Sequence, residues 1–179
     1  MQFKAEILDA VAMDRALTRV AHQIIEKDDS ADNLCLIGIK TRGVPLADRL
    51  AENIRRIDGT IVPVGALDIT LYRDDLSTLS DSPVLGGSEI PCSLEGKTVV
   101  LCDDVIYTGR TARAAMDAVM EHGRPARIQL FAFIDRGHRE LPIRPDFVGK
   151  NIPTGRNEVV SVRLGETDGE NRVLLFEKK

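Results

Sequence analysis

Two adjacent carboxylates, Asp103 and Asp104, follow the apolar run Val99-Val100-Leu101-Cys102. After Val105 and Ile106 comes a small polar turn, Tyr107-Thr108-Gly109-Arg110-Thr111. The apolar run reads as a buried strand, the acids as its C-terminal end, and the Thr/Gly turn as the entry to a helix. Ligands of open α/β sheets bind outside the C-terminal ends of strands. The orphan amides and dipole of a helix N-terminus favour an anion there. Mg²⁺ keeps several waters when bound, so one or two carboxylates suffice to hold it. A diol between the two acids and a phosphate on the turn describes a phosphorylated sugar. Asp is also an everyday turn-capping residue, but a turn needing only a cap does not need this Thr/Gly cradle.

A second loop of the same kind, Lys40-Thr41-Arg42-Gly43, follows the apolar run Leu34 to Ile39. Its cations, hydroxyl and glycine suit a further phosphate group, bound through backbone N–H and Arg. Basic loops are usually just solvated; two anion-suited loops after two core strands weigh more than either alone.

The elements that must position these loops alternate along the chain. Leu17, Val20, Ala21, Ile24 and Ile25 recur at helical spacing, predicting a helix over residues 10–28. Leu34 to Ile39 is a strand buried on both faces, and a helix follows from about Val44 to Arg56. Ile61 to Thr70 is strand-like. From Tyr72 to Pro91 all periodicity is lost, which in a compact domain reads as either a functional lid or a disordered segment; a flexible lid is the expectation. A strand at Thr98 to Cys102, a helix from Arg110 to about His122 and a strand at Arg127 to Ile134 complete the pattern. Shorter strand-like pieces at Phe147-Val148, Val159 to Val162 and Val173 to Phe176 predict a small C-terminal hood over residues 135–179. The expected architecture is one α/β domain over residues 1–179, with a mainly parallel central sheet, flanking helices, a hood and a lid.

Bulk properties agree with a globular protein: 179 residues, 43% hydrophobic and 29% charged. No run of about 18 apolar residues is present, so no membrane span is expected. Met1 to Glu6 lacks the basic start and apolar centre of a signal peptide. Cys35, Cys92 and Cys102 cannot all pair and lack zinc-ligand spacing, which reads as a reducing cytoplasm with buried free thiols at Cys35 and Cys102. A net charge of −4 argues against a protein that coats nucleic acid non-specifically. No G-x-G-x-x-G follows the first core strand, so a Rossmann dehydrogenase is a poor fit.

Four segments carry a resemblance. Val99 to Thr111 resembles the signature of type I phosphoribosyltransferases, which bind 5-phosphoribosyl-1-diphosphate (PRPP). Gly38 to Gly43, Leu67 to Leu76 and Ile134 to Thr154 narrow it, and together the four resemble the PyrR family of bifunctional pyrimidine-operon regulators. The resemblance runs from about Met13 to the end of the chain. It implies the type I phosphoribosyltransferase fold and the reaction of uracil with Mg²⁺-complexed PRPP to give UMP and pyrophosphate.

By that resemblance Asp103 and Asp104 hold the ribose hydroxyls, directly or through Mg²⁺-bound water, with Asp135 as a further metal-side acid. Asp103, Asp104 and Arg136 are the expected catalytic residues, Asp135 and Arg136 lying beside the anomeric carbon and diphosphate. PRPP is expected along Val99, Val100, Leu101, Cys102, Asp103, Asp104, Val105, Ile106, Tyr107, Thr108, Gly109, Arg110 and Thr111. Thr41, Arg42 and Gly43 take the pyrophosphate, while Tyr72 and Arg73 descend with the lid. Phe147, Val148 and Lys150 read the base. Where purine-specific relatives carry an Asp able to handle a purine-ring proton, this chain has Tyr107. A phenol is a poor base at neutral pH, so no general base is assigned and a pyrimidine is expected.

A second activity lies on a different face. Arg15, Arg19, His22 and Glu26 share one side of the first helix. Spacing alone describes a solvated, charge-stabilised face. The resemblance implies that Thr18, Arg19 and His22 bind a hairpin in the leader of pyrimidine-gene (pyr) messenger RNA. Lys40, Arg42, His138, Arg139, Arg144 and Lys150 would extend that surface, with UMP or UTP as co-regulator. A homodimer or larger homo-oligomer is expected. The competing reading is a uracil phosphoribosyltransferase of the same fold without RNA regulation.

Overall fold

The computed structural model describes residues 1–28, 31–70 and 87–179. Its main sheet has five parallel strands in the order β3-β2-β4-β5-β6. These are β2 (Leu34–Ile39), β3 (Val64–Leu67), β4 (Thr98–Ile106), β5 (Arg127–Asp135) and β6 (Phe147–Asn151). A second, antiparallel sheet has the order β1-β8-β7, from β1 (Gln2–Leu8), β7 (Glu158–Arg163) and β8 (Arg172–Glu177). The helices are α1 (Ala10–Asp28), α2 (Gly43–Asp58), α3 (Arg110–Glu121) and the single turn α4 (Gly165–Asp168).

Strand alternation divides the core in two. Leu34 and Leu36 of β2 face one cluster with Met13, Leu17 and Ile24 of α1 and Leu46, Leu50 and Ile54 of α2. Cys35, Ile37 and Ile39 face the other, against the alanines of α3 (Ala112, Ala115, Ala118). Helices therefore cover both faces of the parallel sheet, as its all-buried β2 requires. Val160, Val162, Val173 and Leu175 of the smaller sheet, with Leu164 just after β7, join the α1/α2 cluster, so this hood is seated on that face.

Three expectations change. The hood draws its strands from both ends of the chain: β1 pairs with β8 from Gln2↔Glu177 to Leu8↔Val173, a strand that the sequence reading did not identify. Phe147–Asn151 is not part of the hood; it pairs with β5 as the edge of the main sheet. Strand β4 does not end at Cys102 but runs on to Ile106, because its partner β5 continues alongside (Asp103↔Ala132, Ile106↔Asp135). The lid expected over residues 72–91 lies largely outside the described residues, Tyr72 and Arg73 included. Its last part is described: Glu89 exchanges both backbone hydrogen bonds with Ala66 of β3 (2.9 and 2.7 Å).

Candidate active site

Asp103 and Asp104 lie within the last turns of pleat of β4, both half-buried. Asp103 Oδ1 accepts the Asp104 amide, and Asp104 Oδ1 accepts the Val105 amide, each at 2.9 Å. Burial pushes the Asp104 carboxyl above the usual carboxylate range. A hydrogen bond with Asp103, the Val105 amide and the Arg42 charge pull it the other way.

Arg42 comes near enough to Asp104 for their charges to interact because two glycines let the backbone close up. A Cβ on Gly43 would collide with the carbonyl oxygen of Cys102, and one on Gly38 with the backbone of Val44. The start of α2 therefore sits directly on β2 and β4. The Lys40–Thr41 peptide in this loop is cis. Thr41 is exposed and Arg42 half-buried. Arg42 and Asp104 line a cavity of about 360 Å³, whose other wall is the hood: Val159 to Arg163 of β7 and Phe176 of β8.

Beyond β4 the chain enters α3 through Gly109, whose φ of 94° is in the left-handed region that favours glycine. Gly109 has no side chain to cap the helix, and the orphan amides of a helix's first turn favour an anion. The turn is braced from behind. The Thr108 carbonyl accepts the amides of Glu140 (2.9 Å) and Leu141 (3.1 Å), and Arg110 Nε donates to Glu140 Oε2 at 2.9 Å. Thr108 Oγ1 accepts the Arg110 amide at 3.3 Å.

Several expected residues are committed elsewhere. Arg136 is buried; its Nη2 donates to the Glu158 carbonyl at 2.7 Å, its Nε to Thr154 Oγ1 at 3.2 Å, and its guanidinium lies 4.1 Å from the Tyr107 ring centroid. It ties β5 to the hood instead of facing the cavity. Asp135 accepts Arg139 Nη2 at 2.5 Å and the Gly137 amide at 2.9 Å. Arg139 also donates to the carbonyls of Ile143 and Tyr107, both at 2.9 Å. His138, at φ 63°, places Nε2 at 2.6 Å from the Thr154 carbonyl and its ring edge-on to Tyr107. Arg144 and Lys150 are exposed.

The expected base-reading trio is likewise not gathered at the cavity. The Phe147 ring is buried among α1 residues, with Lys27 Nζ 5.1 Å from its centroid. The Val148 and Gly149 carbonyls accept hydrogen bonds from Arg19, the first at 3.3 Å. A face chosen for recognition of RNA is thus partly used to bind α1 to the sheet edge. Thr18 donates to the Asp14 carbonyl at 3.0 Å, whereas Arg15 and His22 are exposed.

Sequence reasoning missed the cavity's hood wall and Asp168, which accepts Arg42 Nε and Nη2 at 3.1 and 2.6 Å. The alternation in Val159 to Val162 was legible as a strand, but nothing local says which cavity it roofs. Among the described residues, no group of three or more His, Cys, Asp or Glu side chains forms a metal site. Two adjacent carboxylates do fit a hard cation that arrives with phosphate oxygens and keeps its waters.

The phosphoribosyl transferase domain family matches residues 4–166. The chain is 63% identical over 174 residues to the bifunctional protein PyrR of Pelotomaculum thermopropionicum, covering 97% of this chain and 96% of that one. It is 58% identical over 179 residues to the bifunctional protein PyrR of Thermus aquaticus, covering 100% and 99%. The hypoxanthine phosphoribosyltransferase of Trypanosoma cruzi superposes with a TM-score of 0.73 at 16% identity, over 99% of this chain and 98% of that one. A hypoxanthine-guanine phosphoribosyltransferase of Bacillus anthracis gives 0.70 at 17% identity, over 98% of each. At that identity the likeness concerns the fold.

Proposed function

The chain belongs to the phosphoribosyl transferase domain family and, through near-full-length relatives at 58–63% identity, to its PyrR members; from this we propose that it converts uracil and PRPP to UMP and pyrophosphate and regulates pyrimidine-gene messenger RNA. The observation that carries the enzymatic reading is the cavity shared by Asp104, Arg42 and the hood.

Each part has a task there. Asp103 and Asp104 hold the ribose diol. The amides of the Thr108 to Thr111 turn hold the 5-phosphate, with Thr108 fixed by its bonds to Glu140 and Leu141. Arg42 and the Thr41-Gly43 backbone hold the diphosphate, whose departure leaves positive charge on the ribosyl ring. The base lies against the β7 stretch Val159 to Ser161, which also keeps water from the activated sugar. Asp103 and Asp104 would hold a Mg²⁺ ion that arrives with PRPP, and the ion would supply charge neutralisation on the leaving group. Tyr107 offers no carboxylate to a purine ring, which favours uracil.

The regulatory reading is supported by the similarity along the whole chain and by exposed Arg15 and His22 on α1, Lys150 on β6 and Arg144 in the loop before β6. It describes a cytoplasmic protein acting as a homodimer or larger homo-oligomer, with uridine nucleotide favouring the RNA-bound state. Among the described residues no helix is long and apolar enough to cross a membrane.

The test is UMP formation from uracil, PRPP and Mg²⁺ by purified protein, with hypoxanthine and guanine as controls. Absence of product with uracil overturns the enzymatic reading. Gel shifts with a pyr leader hairpin, with and without UMP, test the regulatory one; an enzyme that never shifts the RNA is the salvage enzyme of the competing reading.

A further inference from the structure

Arg42 stands between two acids. On the hood side its Nε and Nη2 donate to Asp168 as a bidentate fork, at 3.1 and 2.6 Å. On the cavity side it feels the charge of Asp104. Asp168 is itself held: its Oδ2 accepts the Leu164 amide at 3.0 Å, and its own amide donates to the Leu164 carbonyl at 2.6 Å. The turn that carries it is seated separately. Arg49 of α2 donates to both oxygens of Glu166 (2.8 and 2.5 Å) and to Asn171 Oδ1 (2.6 Å).

A guanidinium is planar and has five N–H donors, so one edge can bind a carboxylate while the other binds a second oxyanion. Among the described residues, Arg42 Nη1 donates to no protein atom. Asp168 need not leave for a phosphate group to arrive.

We propose that Asp168 is a positioning residue for diphosphate recognition, fixing the Nε edge of Arg42 so that its Nη1 edge is presented to the leaving group. The proposal rests on the phosphoribosyltransferase reading above. A hood residue thereby sets the affinity of a loop that belongs to the main sheet, and sequence separation hides the link. The ion pair acts in both directions, holding Asp168 below the usual carboxylate range through its hydrogen bonds from Arg42.

The experiment measures KM for PRPP, kcat, and calorimetric binding of Mg²⁺-pyrophosphate in wild type, Asp168→Asn, Asp168→Glu and Glu166→Gln. Asp168→Asn is expected to weaken PRPP and pyrophosphate about tenfold while kcat changes less than about twofold. Asp168→Glu should restore most of the loss. Glu166→Gln, which loosens the other hood–α2 pair without touching Arg42, should leave both affinities unchanged. On an Arg42→Lys background, which keeps the charge and loses the fork, Asp168→Asn should add nothing. Unchanged or tighter binding in Asp168→Asn overturns the proposal. So do an equal loss in Glu166→Gln and additive losses in the double variant. Wild type that binds neither PRPP nor pyrophosphate overturns the phosphoribosyltransferase reading itself, a different result from any of these.

Discussion

The Arg136 guanidinium lies 4.1 Å from the centre of the Tyr107 ring while its Nη2 is bonded to the Glu158 carbonyl. One buried cation therefore links the residue before the phosphate turn to the first residue of β7. Lysine would keep the charge but lose the planar stack and the fork. Arg136→Lys should cost about 1–3 kcal/mol in urea-monitored unfolding. A variant of wild-type stability that has lost only kcat would return Arg136 to the role of a ligand-facing cation.

Asp104 gives an activity prediction and a stability prediction of opposite sign. Asp104→Asn should lower kcat/KM by about 10²–10³. Its folded-state carboxyl is raised, chiefly by burial. The fold therefore favours the protonated acid, and that contribution is full at low pH and fades as pH rises through the raised value. At pH 7 the ligand-free variant should match wild type or melt about 2–4 °C higher, and the gap should close on acidification towards pH 4. A lower Tm at pH 7 would contradict this.

Acid should loosen the hood. Asp168 and Glu166 are held below the usual carboxylate range, chiefly by hydrogen bonds from Arg42 and Arg49 respectively. Stability from such groups is present above the unfolded carboxylate pKa and is lost as pH falls through the folded one. Hydrogen exchange in β7 and β8 should accelerate relative to β4 and β5 below about pH 4. Equal acceleration in both sheets would refute the assignment.

Arg19 bridges α1 to the carbonyls of β6. Arg19→Ala should therefore cost about 1 kcal/mol of stability and raise hydrogen exchange in β6, besides any effect on RNA. Arg15→Ala and His22→Ala should leave melting unchanged and weaken leader binding, with a shallower salt dependence for Arg15→Ala. RNA affinity insensitive to both would remove the α1 face from the regulatory surface.

The three thiols should differ in reactivity. Burial, aided by Cys92, pushes the Cys35 thiol up to about 12, and burial raises that of Cys102 as well. Cys92 is half-exposed, its sulfur 3.8 Å from that of Cys35. Iodoacetamide at pH 8 should modify Cys92 in the native protein, with the other two labelled only after denaturation; peptide mass mapping reads the result.

The layered sheet was legible because its signals are local. Leu34 to Ile39 is apolar throughout, and α1 and α2 repeat at helical spacing over four turns or more. What failed depended on distant partners. Asp103 and Asp104 are poor strand formers, and only pairing with β5 carries β4 through them. Gln2 to Leu8 is mostly exposed and half polar, and its partner lies at the other end of the sequence. The acid pair, Arg42 and the Thr108 turn stood out because loops after core strands share one edge of the sheet. Arg136 and Phe147 stand in the right motifs, but a motif does not say whether its side chain faces ligand or interior.

The pairing of Gln2 with Glu177 joins residues separated by nearly the whole chain. Long loops are the costliest to close and non-local pairs the slowest to form. The roof of the cavity therefore depends on a pairing that joins the two ends of the chain. A ligand that binds only chains with this roof in place draws the folding equilibrium towards the folded state. In a cell rich in PRPP, the abundance of intact protein would track the supply of its own substrate.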